Sequence, residues 1–286
     1  MSVNLLAIVS AAVLVGSWNG QWFPSGRAEH RASEAAEAAT VRAAGEMIRR
    51  GIARHDPAGT NDLILCFNEI RDRAAADALC AAIGRTNLTV AMITRYRRRD
   101  RFDMQQDVIM TTLPVTSANW CRWKFGKGVY PPRGYAHADI VVAPAVTAAV
   151  YAVHLKSNYG QTTEKIAADN RAKREKAVGQ LLSQERPVRG KYRRPVIIAG
   201  DMNADRWGSD EKAKRIFEKF DAGGFVDVLA DLAPEARITH PGRGKWKNST
   251  LDYIMIRGFT GSFVSYVESA RGVSDHDAVF VLLDFE

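Results

Sequence analysis

With 286 residues, 46% of them apolar and 25% charged, the chain carries enough hydrophobic material for a large core, as one domain or two small ones. Its three cysteines, Cys66, Cys80 and Cys121, exclude a disulfide framework, and none shows the CxxC spacing of a zinc site. A net charge of +8 suits polyanionic partners such as nucleic acid or anionic lipid headgroups, although most basic proteins use such charge for solubility alone.

Leu5 to Val15 is apolar, and Ser10-Ala11-Ala12 would suit signal peptidase, yet no Lys or Arg precedes the run and it is too short to span a membrane. Residues 1–12 are therefore expected to be a signal peptide or a disordered start, with export in the first case and a cytoplasmic chain in the second. No repeat or low-complexity linker interrupts residues 13–286, which are expected to form one domain. The basic stretches Arg95 to Arg101 and Lys191 to Arg194 read as surface loops between apolar runs.

Val13 to Trp18 reads as a first strand that releases Asn19 at its end. Ser33 can cap a long helix carrying Val41, Ala44, Ile48 and Ile52 at helical spacing. Asp62 to Phe67 is a second core strand closing in Asn68-Glu69-Ile70, which puts Glu69 at the same topological place as Asn19. A helix over Arg73–Ile83 and strands over Leu88–Ile93 and Gln105–Met110 follow. Ser117 to Tyr135 interleaves Trp120, Trp123, Phe125, Tyr130 and Tyr135 with Arg122, Lys124, Lys127 and Arg133. That mixture suits base stacking and phosphate binding, and equally a hairpin whose rings pack on its own sheet.

Ala138–Val142 and Ala148–Leu155 read as adjacent strands, the second delivering His154-Leu155-Lys156-Ser157-Asn158. A helix from Glu164 to Gln184 presents Arg171, Lys173, Arg174 and Lys176, expected on a solvated face. Pro195 to Gly200 is a wholly apolar run bounded by Pro and Gly, the pattern of a core strand, and it releases Asp201 and Asn203. An Asx turn, with both side chains capping backbone, is the plain alternative there. Asp210–Phe220 is expected to be helical, and strands are expected over Leu251–Ile256, Phe263–Val267 and Ala278–Phe285, with Ser274-Asp275-His276 just before the last.

Asn19, Glu69, Asp201, Asn203 and Asp275 are hard oxygen donors or hydrogen-bonding groups, suited to Mg²⁺ or Mn²⁺ rather than to zinc. Two histidines at strand ends add proton transfer, so metal, base and donor for phosphodiester hydrolysis are all present. Each motif also has an ordinary reading. His154 could be a core histidine, Glu69 with Arg71 a surface ion pair, Asp252 a turn residue, and Ser274-Asp275-His276 a cap. What favours chemistry is that all of them fall at strand boundaries.

The ordered series Ser17-Trp18-Asn19, Asn68-Glu69-Ile70, His154-Leu155-Lys156-Ser157, Gly200-Asp201-Met202-Asn203, Leu251-Asp252-Tyr253 and Ser274-Asp275-His276 resembles the endonuclease/exonuclease/phosphatase superfamily, over roughly Val13 to Phe285. The resemblance implies an α/β (α+β) four-layer sandwich, two mostly antiparallel β-sheets packed face to face with helices outside, and a metal-dependent phosphoesterase site at one end. Carried over by position, Glu69 would be the principal ligand for Mg²⁺ or Mn²⁺, helped by Asn19, with Asp275 near the ion. His276 would be general base or its equivalent, oriented by Asp252. Asp201 would position or activate water, Asn203 would hold the transition state, and His154 would meet the scissile phosphate or the leaving oxygen. Arg133, Lys156 and Asn158 are the expected substrate contacts.

Two departures stand out: Asn rather than Gln precedes Glu69, and Gly20-Gln21 follows Asn19 where many members carry an apolar residue and Glu. Neither removes a carboxylate or histidine that the mechanism needs. The expected protein is a monomeric Mg²⁺-dependent nuclease acting on nucleic acid, in keeping with its charge and with the basic, aromatic segments Ser117–Tyr135 and His240–Lys247. A phosphatase or sphingomyelinase-like phosphodiesterase, and a silent polyanion binder, are the alternatives.

Overall fold

The computed structural model describes residues 11–26, 32–98, 101–102, 105–185, 194–244, 247–259 and 261–285. Nearly all of the signal-like start, and parts of the segments 95–101, 191–194 and 240–247, lie outside them. In chain order the elements are β1 (Ala11–Phe23), α1 (Glu34–Ala53), β2 (Asp62–Ile70), α2 (Arg73–Ile83), β3 (Thr89–Ile93), β4 (Arg97–Arg98), β5 (Arg101–Phe102), β6 (Gln106–Thr111), β7 (Val115–Arg122), β8 (Gly134–Ala143) and β9 (Val146–His154). There follow α3 (Glu164–Gln184), β10 (Val196–Asp201), α4 (Arg215–Ala222), β11 (Val226–Asp227), β12 (Asp252–Arg257), β13 (Phe263–Glu268) and β14 (Ala278–Phe285).

Two six-stranded sheets run β13-β14-β1-β2-β6-β3 and β11-β12-β10-β9-β8-β7, with β4 and β5 forming a small separate ribbon. Each large sheet has one parallel pair, β1/β2 in the first and β9/β10 in the second, and its other pairs are antiparallel. Parallel neighbours need a long crossover, and α1 and α3 supply the two crossovers. Ser33 and Thr163 start these helices by accepting from the backbone N–H groups of Ala36 and Ile166. The consequence for function is geometric. The carboxyl ends of both parallel pairs, and the amino ends of their antiparallel neighbours β12 and β14, meet along one edge.

Strand alternation sorts the side chains into layers. Val13, Val15, Ile64, Cys66, Val279 and Val281 from the first sheet meet Ala136, Ala152, Ala199 and Ile254 from the second. The opposite faces turn outward, Leu14, Trp18, Leu65, Phe67 and Phe280 against α1 and α2, and Tyr151, Val153, Ile198 and Tyr253 against α3 and α4. Each large apolar side chain buried this way contributes about 1.5–3 kcal/mol. Helix, sheet, sheet, helix is the expected four-layer order. Cys66 is a core residue, and burial pushes its thiol far up.

Two expectations need correction, and one pair of alternatives divides between its members. The helix expected from Asp210 starts only at Arg215, because Asp210 Oδ1 accepts from the N–H groups of Lys212 and Ala213 (3.1 and 3.2 Å) and holds them in a turn. Arg171 and Arg174 are buried rather than solvated. Arg171 pairs with Glu164 and Asp210, while Arg174 donates to Lys156 O and Asn158 Oδ1, both at 2.8 Å. Of the Ser117–Tyr135 aromatics, Trp123 and Tyr135 pack into the layer under α3, whereas Phe125 and Tyr130 stay exposed and in mutual contact.

Candidate active site

The regular pairing of β1 with β2 runs as far as Asn19 and Asn68 and then shifts register, and Glu69, in that irregular stretch, has a left-handed φ of 60°. A bulge re-aims a side chain, and here it turns the Glu69 carboxylate to the trough between the sheets. Glu69 Oε2 accepts from Trp22 N–H at 3.0 Å. Across the trough, His154 ends β9 and Asp201 ends β10, at paired positions. His154 Nε2 lies 3.8 Å from Glu69 Oε1 and 3.6 Å from Asp201 Oδ2. The Asn19 amide bridges the same two acids, 3.4 Å from Glu69 Oε1 and 3.0 Å from Asp201 Oδ2.

Asp252 opens β12 opposite Asp201. Its Oδ2 accepts from His276 Nδ1 at 2.7 Å and from Thr239 Oγ1 at 2.9 Å. The His276 backbone is fixed as well, its N–H donating to Ser274 Oγ and its carbonyl accepting from Trp18 Nε1. Ser274 Oγ in turn donates to Asn19 O at 2.7 Å, so the loop before β14 is fastened to β1. Ser274 is thus a cap and His276 a site residue at once.

The Asx turn and the site also coexist at Asp201. Its Oδ1 accepts from Asn203 N–H at 2.8 Å, which leaves Oδ2 for the trough. Asn203 has a left-handed φ of 50°, its Nδ2 donates to Leu155 O, and its own carbonyl accepts from Asn158. Asn68 explains itself here. Its Nδ2 donates to Asp107 Oδ1 at 2.7 Å, which orients the amide so that its Oδ1 receives Asp201 N–H at 3.0 Å. Tyr96 completes this buried line by donating to Asp107 Oδ2 at 3.0 Å.

The proton states follow from burial and charge. Burial raises the Glu69 carboxyl above its usual range, against a hydrogen bond from Gln105 and the charges of Arg133 and His276. Asp201 is pushed up to about 7, by burial first and then by the Asp252 charge. Burial opposes charge on His276, but Asp252 outweighs it, and the ring is raised to about 10. His154 is held well below the ordinary imidazole value by burial and by the charges of Arg133 and His276, so it is neutral.

Asn19, Glu69, His154, Asp201, Asn203, Asp252, Asp275 and His276 therefore line one region. Arg71 pairs with Glu37 and Asp72 instead of with Glu69. The expected substrate contacts are committed inward. Arg133 donates to the carbonyls of His154 and Leu155 and to Gln105; Lys156 donates to Ser157 O; Asn158 bonds Asn203 and Arg174. Thr239, which holds Asp252, went unread in the sequence, and His240, read only as the start of a basic segment, has its ring 4.9 Å from that of His276. A lone Thr-His in a basic turn carries no spacing signal.

The sequence matches the endonuclease/exonuclease/phosphatase family over residues 16–276. The chain belongs to that family. No curated protein matches it in sequence. Among solved structures, the family protein from Leptotrichia buccalis is 14% identical, with a TM-score of 0.64 over 96% of this chain and 100% of that one. The human nocturnin catalytic domain with bound sulfate is 14% identical, TM-score 0.65, covering 96% and 94%. TDP2 of D. rerio complexed with a single-strand DNA product is 15% identical, TM-score 0.60, covering 96% and 99%. At these identities the likeness is one of fold. Family members are phosphoesterases and generally depend on a divalent metal. The trough fits such an ion: buried Glu69 and Asp201 are both raised, the mark of acids short of positive charge, and the donors are mostly hard oxygens. As placed, Asn19 turns its nitrogen to the acids and its oxygen to Gln21 N–H, so it would meet an ion through oxygen only after its amide rotates. Among the described residues no helix is long and apolar enough to cross a membrane.

Proposed function

We propose that this single-domain phosphoesterase is a Mg²⁺- or Mn²⁺-dependent nuclease. The observation that carries the nucleic-acid reading is the position of Arg133. It follows the loop bearing exposed Phe125 and Tyr130, and its bonds to His154 O and Leu155 O tie the end of that loop to the strand end that carries His154. Two exposed rings on a loop tied at Arg133 to that strand end suit stacked bases, worth about 1–3 kcal/mol each, and the net charge of +8 favours a polyanion.

The ion, held by Glu69 with Asn19 and Asp275, would neutralise charge growing on the phosphoryl oxygens. The residues divide the remaining work. Asp201, poised near 7, takes the proton of the attacking water on Oδ2, its carboxylate kept in place by the bond from Asn203 N–H to Oδ1. His276, kept cationic by Asp252, donates from Nε2 to a phosphoryl oxygen. This assigns His276 the role of donor rather than base. Neutral His154 hydrogen-bonds the phosphate, and Asn203 lends its amide.

Plasmid DNA, RNA, sphingomyelin, an inositol phosphate and bis-p-nitrophenyl phosphate, each with Mg²⁺ or EDTA, separate the readings. DNA or RNA cleavage abolished by EDTA is expected. Cleavage of sphingomyelin with nucleic acid untouched would overturn the nuclease reading, and activity surviving EDTA would overturn the metal. Asp201→Asn and His276→Ala should each reduce turnover by about a hundredfold or more.

A further inference from the structure

We propose that His240, Asp275 and His276 form a second cation site, sharing Asp275 with the Mg²⁺ position proposed above, that takes a borderline transition-metal ion such as Zn²⁺, and that an ion there blocks hydrolysis. The blocking part rests on the function proposed above, whereas the binding part stands apart from it.

The three side chains offer ligand atoms that all lie within 4.8 Å of one another. His276 Nδ1 is committed to Asp252, so Nε2 is its outward atom, 4.0 Å from Asp275 Oδ1. A carboxylate behind one ring nitrogen, with the other left for a metal, is the arrangement that fixes metal-binding histidines in general. The His240 ring approaches the His276 ring edge to face. Two imidazoles and one carboxylate suit Zn²⁺ or Co²⁺ and leave room for water in a fourth position, unlike the oxygen donors around Glu69.

The backbones that carry these ligands are already tied together. Thr239 O receives Asp277 N–H at 2.7 Å, and Thr239 Oγ1 donates to the same Asp252 oxygen that holds His276. His240 exchanges both of its backbone hydrogen bonds with Ser249, at 2.9 and 3.1 Å. Little ordering therefore remains for an ion to impose. The Asp275 side chain is 31% exposed, which gives an ion a way in from solvent. On binding, the metal replaces the proton on His276 Nε2, which leaves to solvent. His276 then has no N–H to offer a phosphate, and turnover stops.

The test uses the full chain with Co²⁺ as a spectroscopic probe and Zn²⁺ as competitor. Wild-type protein should take up Co²⁺ with the visible bands of a four-coordinate site, and Zn²⁺ should bleach them. In saturating Mg²⁺, Zn²⁺ should suppress hydrolysis of bis-p-nitrophenyl phosphate over the same concentration range. His240→Gln should keep the Mg²⁺-supported rate while its Zn²⁺ affinity and inhibition both weaken by about tenfold or more, the scale on which even outer-shell partners act. Unchanged Co²⁺ bands in folded His240→Gln would overturn the site. Zn²⁺ inhibition that extra Mg²⁺ relieves equally in both proteins would place the effect at Glu69 and overturn the block. Should no ester be cleaved at all, the hydrolase reading fails while the Co²⁺ titration still decides the site.

Discussion

Through Asn68, Asp107 governs how Asp201 is held. Its carboxylate accepts only N–H and O–H, so Asn68 must turn its nitrogen toward β6 and its oxygen toward the Asp201 backbone. Asp107→Asn removes that discrimination and lets the Asn68 amide rotate. A small displacement at the reacting centre is costly, so kcat should fall by about ten- to a hundredfold with KM nearly unchanged, measured on bis-p-nitrophenyl phosphate. A matching rise in KM would argue against a positioning role. Asp227 tests charge burial instead: it is pushed up from 3.8 to about 6, chiefly by burial. Between those values the folded state holds the extra proton, so stability falls as pH rises toward about 6 and stays lower above it. Asp227→Asn should therefore raise Tm at pH 8, by on the order of 2 kcal/mol in stability, and leave it nearly unchanged near pH 3.5. Neither network was legible beforehand. Asn68, Asp107 and Tyr96 are separated along the chain and become partners only once the strands stack. By contrast Glu69, Asp201 and His276 could be read, because each interrupts or follows an apolar run at a strand boundary.

Element by element, the buried strands and the crossover helices were the readable parts. β1, β2, β9 and β10 are dry on both faces and so are written as continuous apolar runs. β7 at the sheet edge was not, since its mixed, mostly exposed side chains lack the alternation of a half-buried strand. The α4 start was misplaced because a capping aspartate resembles a helix opening whether or not a helix follows at once. β10 carries the sharpest constraint. A methyl at Gly200, where φ is 141°, would lie 1.9 Å from Val153 O and 2.9 Å from Asn68 Oδ1. Gly200→Ala should push β10 away from β9 and cost at least about 1–3 kcal/mol in denaturant unfolding, with turnover falling further than stability accounts for. A variant with wild-type midpoint and rate would show that the strand can slide.

For the molecule as a whole, the charge of +8 makes a separate prediction. Cleavage of DNA should weaken steeply between about 50 and 200 mM salt as counterion release is lost, while hydrolysis of a small diester should change little. Equal salt sensitivity for both would remove the extended polyanion contact. The proposed reaction centre also has an owner on each side of the sandwich: Asn19 and Glu69 belong to the first sheet, His154, Asp201 and Asp252 to the second. Between them the second sheet contributes alanine beside Ile and Val, at Ala136, Ala138, Ala148, Ala152 and Ala199. A methyl group has no rotamer to change, so these residues act as fixed shims. The thickness of a hydrocarbon layer thereby sets the distance across which two half-sites must agree, and the chemistry is tuned by residues that carry none.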